Sequence, residues 1–310
     1  MMTSLRVVCL VAGAGLLVTS CQTPKDGDET VRRAEPAEAG PTSALNVPVR
    51  SGELNQMARV LAGMENGKGN AGIVDNRSWA YHKVRMDAMW RRYELGRGQK
   101  VRSWAAEEIG DLQRYGAAFY PFSGPDFLYL QDLFPSARTY ILCGLEPAEP
   151  LPDLRSLTTA EIEGGLDGLR TALDGIINAG YFVTKDMRSD LQTTRFKGTL
   201  PILLATLARS GASIDSITVV QLDASGSVVQ ANVSGGAAPG LMIRFRSGNG
   251  GSRTLYYFRQ DLSNGATKQG GPFLTFVANQ GTPPALVKSA SYLMHGSSFS
   301  NIRNYLLTST

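Results

Sequence analysis

An α/β fold class, with a sheet covered by helices on both faces, follows from three stretches of this sequence. Residues 117–147 (AAFYPFSGPDFLYLQDLFPSARTYILCGLEP) place an apolar β-rich run, a Ser-Gly-Pro-Asp break, a helix-periodic segment and a second β-rich run in succession, the order of a β-α-β unit. Parallel strands joined in this way need helices on both faces. Runs at 241–246 and 253–259 flank Ser-Gly-Asn-Gly-Gly-Ser, the clearest hairpin in the chain, so a C-terminal antiparallel region is expected. Segments 77–95 and 99–114 set Trp79, Met86, Met89, Trp90 and Tyr93, then Val101, Trp104, Ala105 and Ile109, near helical spacing, which predicts an N-terminal helical pair.

Within the β-α-β unit the strands are expected at 117–122 and 139–143 and the helix at 127–134. Gly124 permits a tight turn, Pro125 has a φ suited to a first helical position, and Asp126 puts a carboxylate near the positive end of the helix dipole. Ahead of this unit, a short helix is expected at 54–64, followed by a Gly/Asn-rich loop. Residues 63–68 do not make a phosphate loop, because Gly69 stands where a Ser or Thr would meet the metal and no strand precedes it.

Beyond the unit, Thr158 and Glu161 have capping-box spacing, and a helix runs from there to a stop at Gly180. Residues 181–183 read as a short strand or a loop, and Lys185, Asp186, Arg188 and Asp190 as a solvated face. A helix at 199–209 has Pro201 in its first turn. Strands follow at 214–222 and 228–233, and after the hairpin another strand is expected at 273–278, a helix at 285–294 opened by Pro283-Pro284, and a last helix at 298–307. Little polar tail follows that helix, so a longer chain beyond Thr310 is an open expectation.

The first 20 residues predict export. Arg6 precedes twelve largely apolar positions, 7–18, too few for a bilayer helix of about 20 residues but suited to a secretory signal. Residues 22–50, rich in Pro, Ala, Gly and charge, read as a flexible tether of coil length about 30 Å. Residues 51–310 are then expected to form one α/β domain. A formal net charge of +4, or +3 once Arg6 is removed with residues 1–20, is too small and dispersed to suggest nucleic acid as a partner.

At Val18-Thr19-Ser20-Cys21 the sequence resembles the lipobox of bacterial lipoproteins, an aliphatic residue and two small residues before the cysteine. The resemblance implies acylation of Cys21, cleavage before it, and membrane attachment through the N-terminal lipid; the plainer reading is a cleaved signal with an incidental cysteine. Gln22 in place of an acidic residue implies, by the sorting rule of some Gram-negative lipoproteins, the outer membrane. Cys143 then remains as the one free thiol, with no intramolecular disulfide to form, and its apolar strand marks it as an inert buried residue.

A strand, a glycine turn, a helix and a second strand ending in an acid also resemble the nucleotide-binding start of Rossmann-like folds, in particular S-adenosylmethionine-dependent methyltransferases. That resemblance implies a Rossmann-like sheet in which Ser123, Gly124 and Asp126 border a cofactor and Glu146 binds its ribose. The turn departs from the family pattern: it has one glycine, Pro125 removes a backbone donor, and no acid closes the first strand. The FYPFSGPDF stretch is further similar to bacterial lipoproteins without an assigned activity.

Other chemistries lack their motifs. No Gly-x-Ser-x-Gly, His-Glu-x-x-His or Ser-x-x-Lys occurs, and His82 and His295 are the only histidines, so no metal site is expected. The expected protein is a cell-envelope lipoprotein with no cofactor, binding an unidentified protein or small molecule. The alternative is a transferase using the turn and Glu146.

Overall fold

The computed structural model describes residues 8–9, 51–65, 76–149, 154–179, 196–231, 238–248 and 251–308. Strands are β1 (Val8–Cys9), β2 (Ala117–Tyr120), β3 (Thr139–Gly144), β4 (Ser213–Leu222), β5 (Val228–Gln230), β6 (Gly240–Arg246), β7 (Ser252–Arg259) and β8 (Leu286–Val287). Helices are α1 (Ser51–Leu61), α2 (Asn76–Tyr93), α3 (Gln99–Glu108), α4 (Phe127–Leu133), α5 (Thr159–Ala179), α6 (Leu200–Arg209), α7 (Pro272–Ala278) and α8 (Ser300–Thr308). None is long and apolar enough to cross a membrane among the described residues.

Six strands form one mixed sheet in the order β2-β3-β7-β6-β4-β5. β2, β3 and β7 run parallel, and β7, β6, β4 and β5 are successively antiparallel. The predicted hairpin is β6-β7, with Gly240 opposite Phe258 and Arg246 opposite Ser252. Outside β2, the 285–287 segment continues the parallel direction through a bridge between Phe119 and Ala285, and β8 pairs in turn with β1.

Period-two alternation assigns each strand two apolar faces. Ala118 and Tyr120 on β2, Tyr140 and Leu142 on β3, Leu241, Ile243 and Phe245 on β6, and Leu255 and Tyr257 on β7 join the core packed under α1 to α6. Phe119, Ile141, Cys143 and Phe258 point the other way, into a second core closed by α7, α8 and β8. Helices therefore cover both faces, as the β-α-β reading requires.

Several boundaries were legible. Thr158 and Glu161 make the expected capping box: the Thr158 amide donates to Glu161 Oε2 at 2.9 Å, and the Glu161 amide to Thr158 Oγ1 at 3.3 Å. Others are corrected by the structure. Residues 273–278, read as a strand, are the helix α7, whose Pro272 occupies the first turn. Residues 285–294, read as a helix opened by two prolines, are the short strand β8 and a 3₁₀ segment Ser289–His295. The expected helical pair is a continuous rod: a π-helical turn, Glu94–Gly98, carries α2 directly into α3 in right-handed helical geometry. Residues 181–190 lie outside the described residues.

Candidate functional site

The carboxyl ends of the parallel strands β2 and β3, where open α/β sheets hold their ligands, carry the residues expected to border a cofactor. Leaving β2, the chain turns through Phe122 at φ +57° and Gly124 at φ +52°, two consecutive excursions into left-handed backbone with Ser123 between them. Phe122 holds its conformation against Phe299, ring centroids 5.7 Å apart.

Ser123 is buried, and its hydroxyl is taken up by β3. Ser123 Oγ donates to the Cys143 carbonyl at 3.1 Å and accepts from the Cys143 amide at 3.0 Å. The Gly124 amide donates to the same carbonyl at 3.1 Å. These bonds extend the sheet past the last ladder residue, so the amides of this turn face protein. Asp126 is the N-cap of α4, with Oδ1 accepting from the Tyr129 amide at 3.3 Å, so Pro125 precedes the helix and does not open it.

Glu146 reaches the same place from the end of β3. Tyr257 OH donates to the Glu146 carbonyl at 2.8 Å and lies 3.3 Å from Oε2. The carboxylate folds back over Gly144, where an added Cβ would fall 2.3 Å from Oε2 and 2.9 Å from Gly124 Cα. The structure brings Ser123, Gly124 and Glu146 together and closes over them: Ser123, Asp126 and Glu146 are each 1% exposed.

Asp126 opens onto a group the sequence did not point to. Its Oδ2 accepts from Lys288 Nζ at 3.0 Å and from Tyr120 OH at 3.1 Å. Lys288 directly follows β8, so it too sits at the carboxyl end of a parallel strand. Its ammonium also lies 3.3 Å from the centroid of the Tyr129 ring, a cation-π contact in a desolvated setting. Burial holds the Lys288 pKa below the ordinary lysine range despite Asp126, and the nearby Arg97 adds to the lowering. Burial and then Asp126 push the Tyr120 phenol well above its usual value.

A second buried carboxylate sits one helix-length away. Asp132 accepts from Tyr93 OH and, at 3.0 Å, from Arg102, which also pairs with Glu94. Burial raises its pKa, with Tyr93 and Arg102 opposing. Arg97, in the π-helical turn, donates to Tyr129 OH at 3.2 Å and to the Ile177 carbonyl at 3.0 Å. The Tyr93 and Tyr129 rings meet edge to face, centroids 5.9 Å apart, and join the two carboxylate centres. Such a chain of satisfied polar groups orders α4 against the long rod and β8. Neither Lys288 nor Tyr257 carried a local sequence signal, because their partners Asp126 and Glu146 lie 162 and 111 positions away and are brought to them by the fold.

No group of three or more His, Cys, Asp or Glu residues suited to a metal occurs among the described residues. His82, read as no metal ligand, is buried between the Leu61 carbonyl and Arg170, each 2.9 Å from a ring nitrogen. Cys143 is buried, and burial pushes its thiol up to about 12. Cys21 lies outside the described residues. A cleft of about 710 Å³ opens elsewhere, between α2 and α5, lined by Arg77, Tyr81, Glu163 and Arg170 among others. Compared with family models, curated proteins and solved structures, the chain matches none significantly.

Proposed function

We propose that this chain is a lipid-anchored protein of the bacterial cell envelope, acylated at Cys21 and sorted to the outer membrane, whose α/β domain works by binding or assembly. Its sheet is read as descended from a Rossmann-like start that no longer admits a nucleotide. The anchor rests on the sequence Val18-Thr19-Ser20-Cys21, and one observation supports the reading of the domain: the turn after β2 is closed. Ser123, Asp126 and Glu146 are 1% exposed, and their polar atoms are engaged by Cys143, Tyr129, Lys288, Tyr120 and Tyr257. A ligand there would have to displace each of these bonds and the Phe122-Phe299 contact.

The proposal has two independent tests. Cys21→Ala should abolish acyl labelling of the chain in a bacterial host, and label that persists would overturn the anchor. S-adenosylhomocysteine and nucleotides should leave thermal unfolding unchanged, whereas a ligand present at 100 times its Kd would add about 2.7 kcal/mol. Stabilisation of that size would favour the second reading, a nucleotide- or S-adenosylmethionine-binding transferase. That reading draws on the convergence of Ser123, Gly124 and Glu146 at the carboxyl ends of parallel strands.

A further inference from the structure

Two lysine-carboxylate contacts of this fold differ sharply in their surroundings. Lys83 and Asp87 are one turn apart on α2, with side chains 30% and 36% exposed, so water solvates both partners. Lys288 and Asp126 are held 3.0 Å apart with side chains 11% and 1% exposed. Each Asp126 oxygen also meets a further donor: Oδ1 accepts from the Tyr129 amide at 3.3 Å, and Oδ2 from Tyr120 OH at 3.1 Å. Tyr120 and Tyr129 are themselves buried, and the Tyr129 ring centroid lies 3.3 Å from Lys288 Nζ. An amine and a polarised carboxyl group therefore share one aromatic-walled enclosure.

That enclosure favours a reaction between them. Buried charges lack most of their hydration, and burial already lowers the Lys288 pKa, so passing its proton to the carboxyl group costs less here than in water. Condensation would replace two desolvated charges by one neutral amide and release a water. The groups also need no encounter, since reactants held in a productive geometry behave as though present at on the order of 10⁵ M or more. Finally, both donors are aimed at the carboxyl oxygens, where negative charge develops as an amine adds to the carbon.

We propose that Lys288 and Asp126 are a modification site, at which Nζ and Cγ join in an intramolecular amide that the fold itself brings about. Nζ passes one proton to Oδ2 and attacks Cγ, and the Tyr129 amide meets the charge that gathers on Oδ1. Tyr120 relays a second proton from the nitrogen to Oδ2 and ends as it began. The Cγ–Oδ2 bond then breaks and Oδ2 leaves as water. Of the three ammonium hydrogens, one stays on the amide and two depart in that water, so no oxidant or outside acid is required. Oδ1, now the amide oxygen, still accepts from the Tyr129 amide and still caps α4. The link ties β8 covalently to the start of α4 and constrains the unfolded chain between residues 126 and 288. It is independent of the lipid anchor and of any ligand.

Mass spectrometry of the full chain, purified folded from a bacterial host, denatured in urea and digested with trypsin, tests the proposal. Residues 115–138 hold Asp126 and residues 269–288 end at Lys288, each bounded by tryptic sites. An amide on Lys288 blocks cleavage there, so the expected product joins residues 115–138 to residues 269–303 and weighs one water, about 18 Da, less than their sum. Fragmentation should place the branch at Asp126 and Lys288, while Lys83 is cleaved as an ordinary lysine. Lys288→Arg keeps a cation for Asp126 but offers no amine, and should give the two peptides unlinked. In denaturing electrophoresis the parent, looped between 126 and 288, should run ahead of Lys288→Arg. Recovery of peptides 115–138 and 269–288 as separate species from the folded parent would overturn the proposal and leave the contact as an ion pair. The parent chain decides this by itself, so a variant that fails to fold does not spare the proposal. Neither peptide contains Cys21, and the result is read separately from acylation.

Discussion

Lys288 and Asp126 stand 162 positions apart in the chain and 3.0 Å apart in space. Their side chains are 11% and 1% exposed, so the pair is a buried clamp between β8 and the turn that starts α4. Asp126 thereby ties three elements: β2 through Tyr120, α4 through its own cap, and β8 through Lys288. A ligand at this end of the sheet would first have to break these bonds.

Removing one member of the clamp should cost far more than removing both. Lys288→Met leaves the Asp126 carboxylate buried without its counter-charge, which is expected to destabilise the domain by about 3 kcal/mol or more. Adding Asp126→Asn to that variant should recover part of the loss, because the uncompensated charge is gone while Tyr120 OH keeps an acceptor. Urea titration of the two single variants and the double variant gives the coupling directly. Equal losses for Lys288→Met and for the double variant would mean that the ion pair is incidental.

The turn itself makes a backbone prediction. Gly124 at φ +52° should not accept a β-branched residue, and Gly124→Val is expected to cost about 2 kcal/mol or more. Gly144→Ala attacks the same place from the other strand, since its Cβ would lie 2.9 Å from Gly124 Cα, a backbone atom, as well as against the Glu146 carboxylate. Both should lower the urea midpoint without changing the slope. Parent-like stability for either would show that the turn has room the structure denies it.

What the sequence revealed depends on how far each signal reaches. The β-α-β unit and the β6-β7 hairpin were legible because alternation, turn residues and helix caps are local. Residues 273–278 misled because an apolar run of six residues has no period with which to distinguish strand from helix. Gly271-Pro272 ahead of it was the signal of a helix start. Residues 285–294 failed for the opposite reason, since β8 exists only through its place beside Phe119 on β2. The candidate site divides in the same way. Ser123, Gly124, Asp126 and Glu146 belong to one unit and were grouped by what its resemblance to a Rossmann-like start implies, whereas Lys288 and Tyr257 arrive from the far end of the chain.

Cys143 offers a probe of opening. Buried in β3, with its thiol pushed up to about 12 by burial, it should resist thiol reagents at neutral pH in the native chain. Labelling should proceed only through unfolding and so accelerate with urea in step with the loss of helix signal. Rapid native labelling would show that β3 is uncovered on the side facing α7 and α8, contrary to the packing of Cys143 with Phe273, Leu274 and Ile302 in the second core.

His82 sets the expected acid limb of stability. Nε2–H donates to the Leu61 carbonyl and Nδ1 accepts from Arg170, an arrangement that requires the neutral ring. A second proton would face the Arg170 guanidinium, so burial first, then Arg170 and Arg209, hold its pKa near 4 against an ordinary 6.5. Above 6.5 the ring is neutral in both states and contributes no pH dependence. Between 6.5 and 4 the unfolded chain takes up a proton that the folded one refuses, so stability falls as pH falls, by on the order of 3 kcal/mol across this window. Below it both states are protonated and the contribution levels off. His82→Gln, which keeps a donor for the Leu61 carbonyl, should be less stable at neutral pH yet lose less on acidification. Urea unfolding of both proteins from pH 7 to pH 4 isolates the term, because carboxylate contributions are common to the two. Parallel curves would mean that His82 is protonated in the fold and that its contact with Arg170 is not the one described.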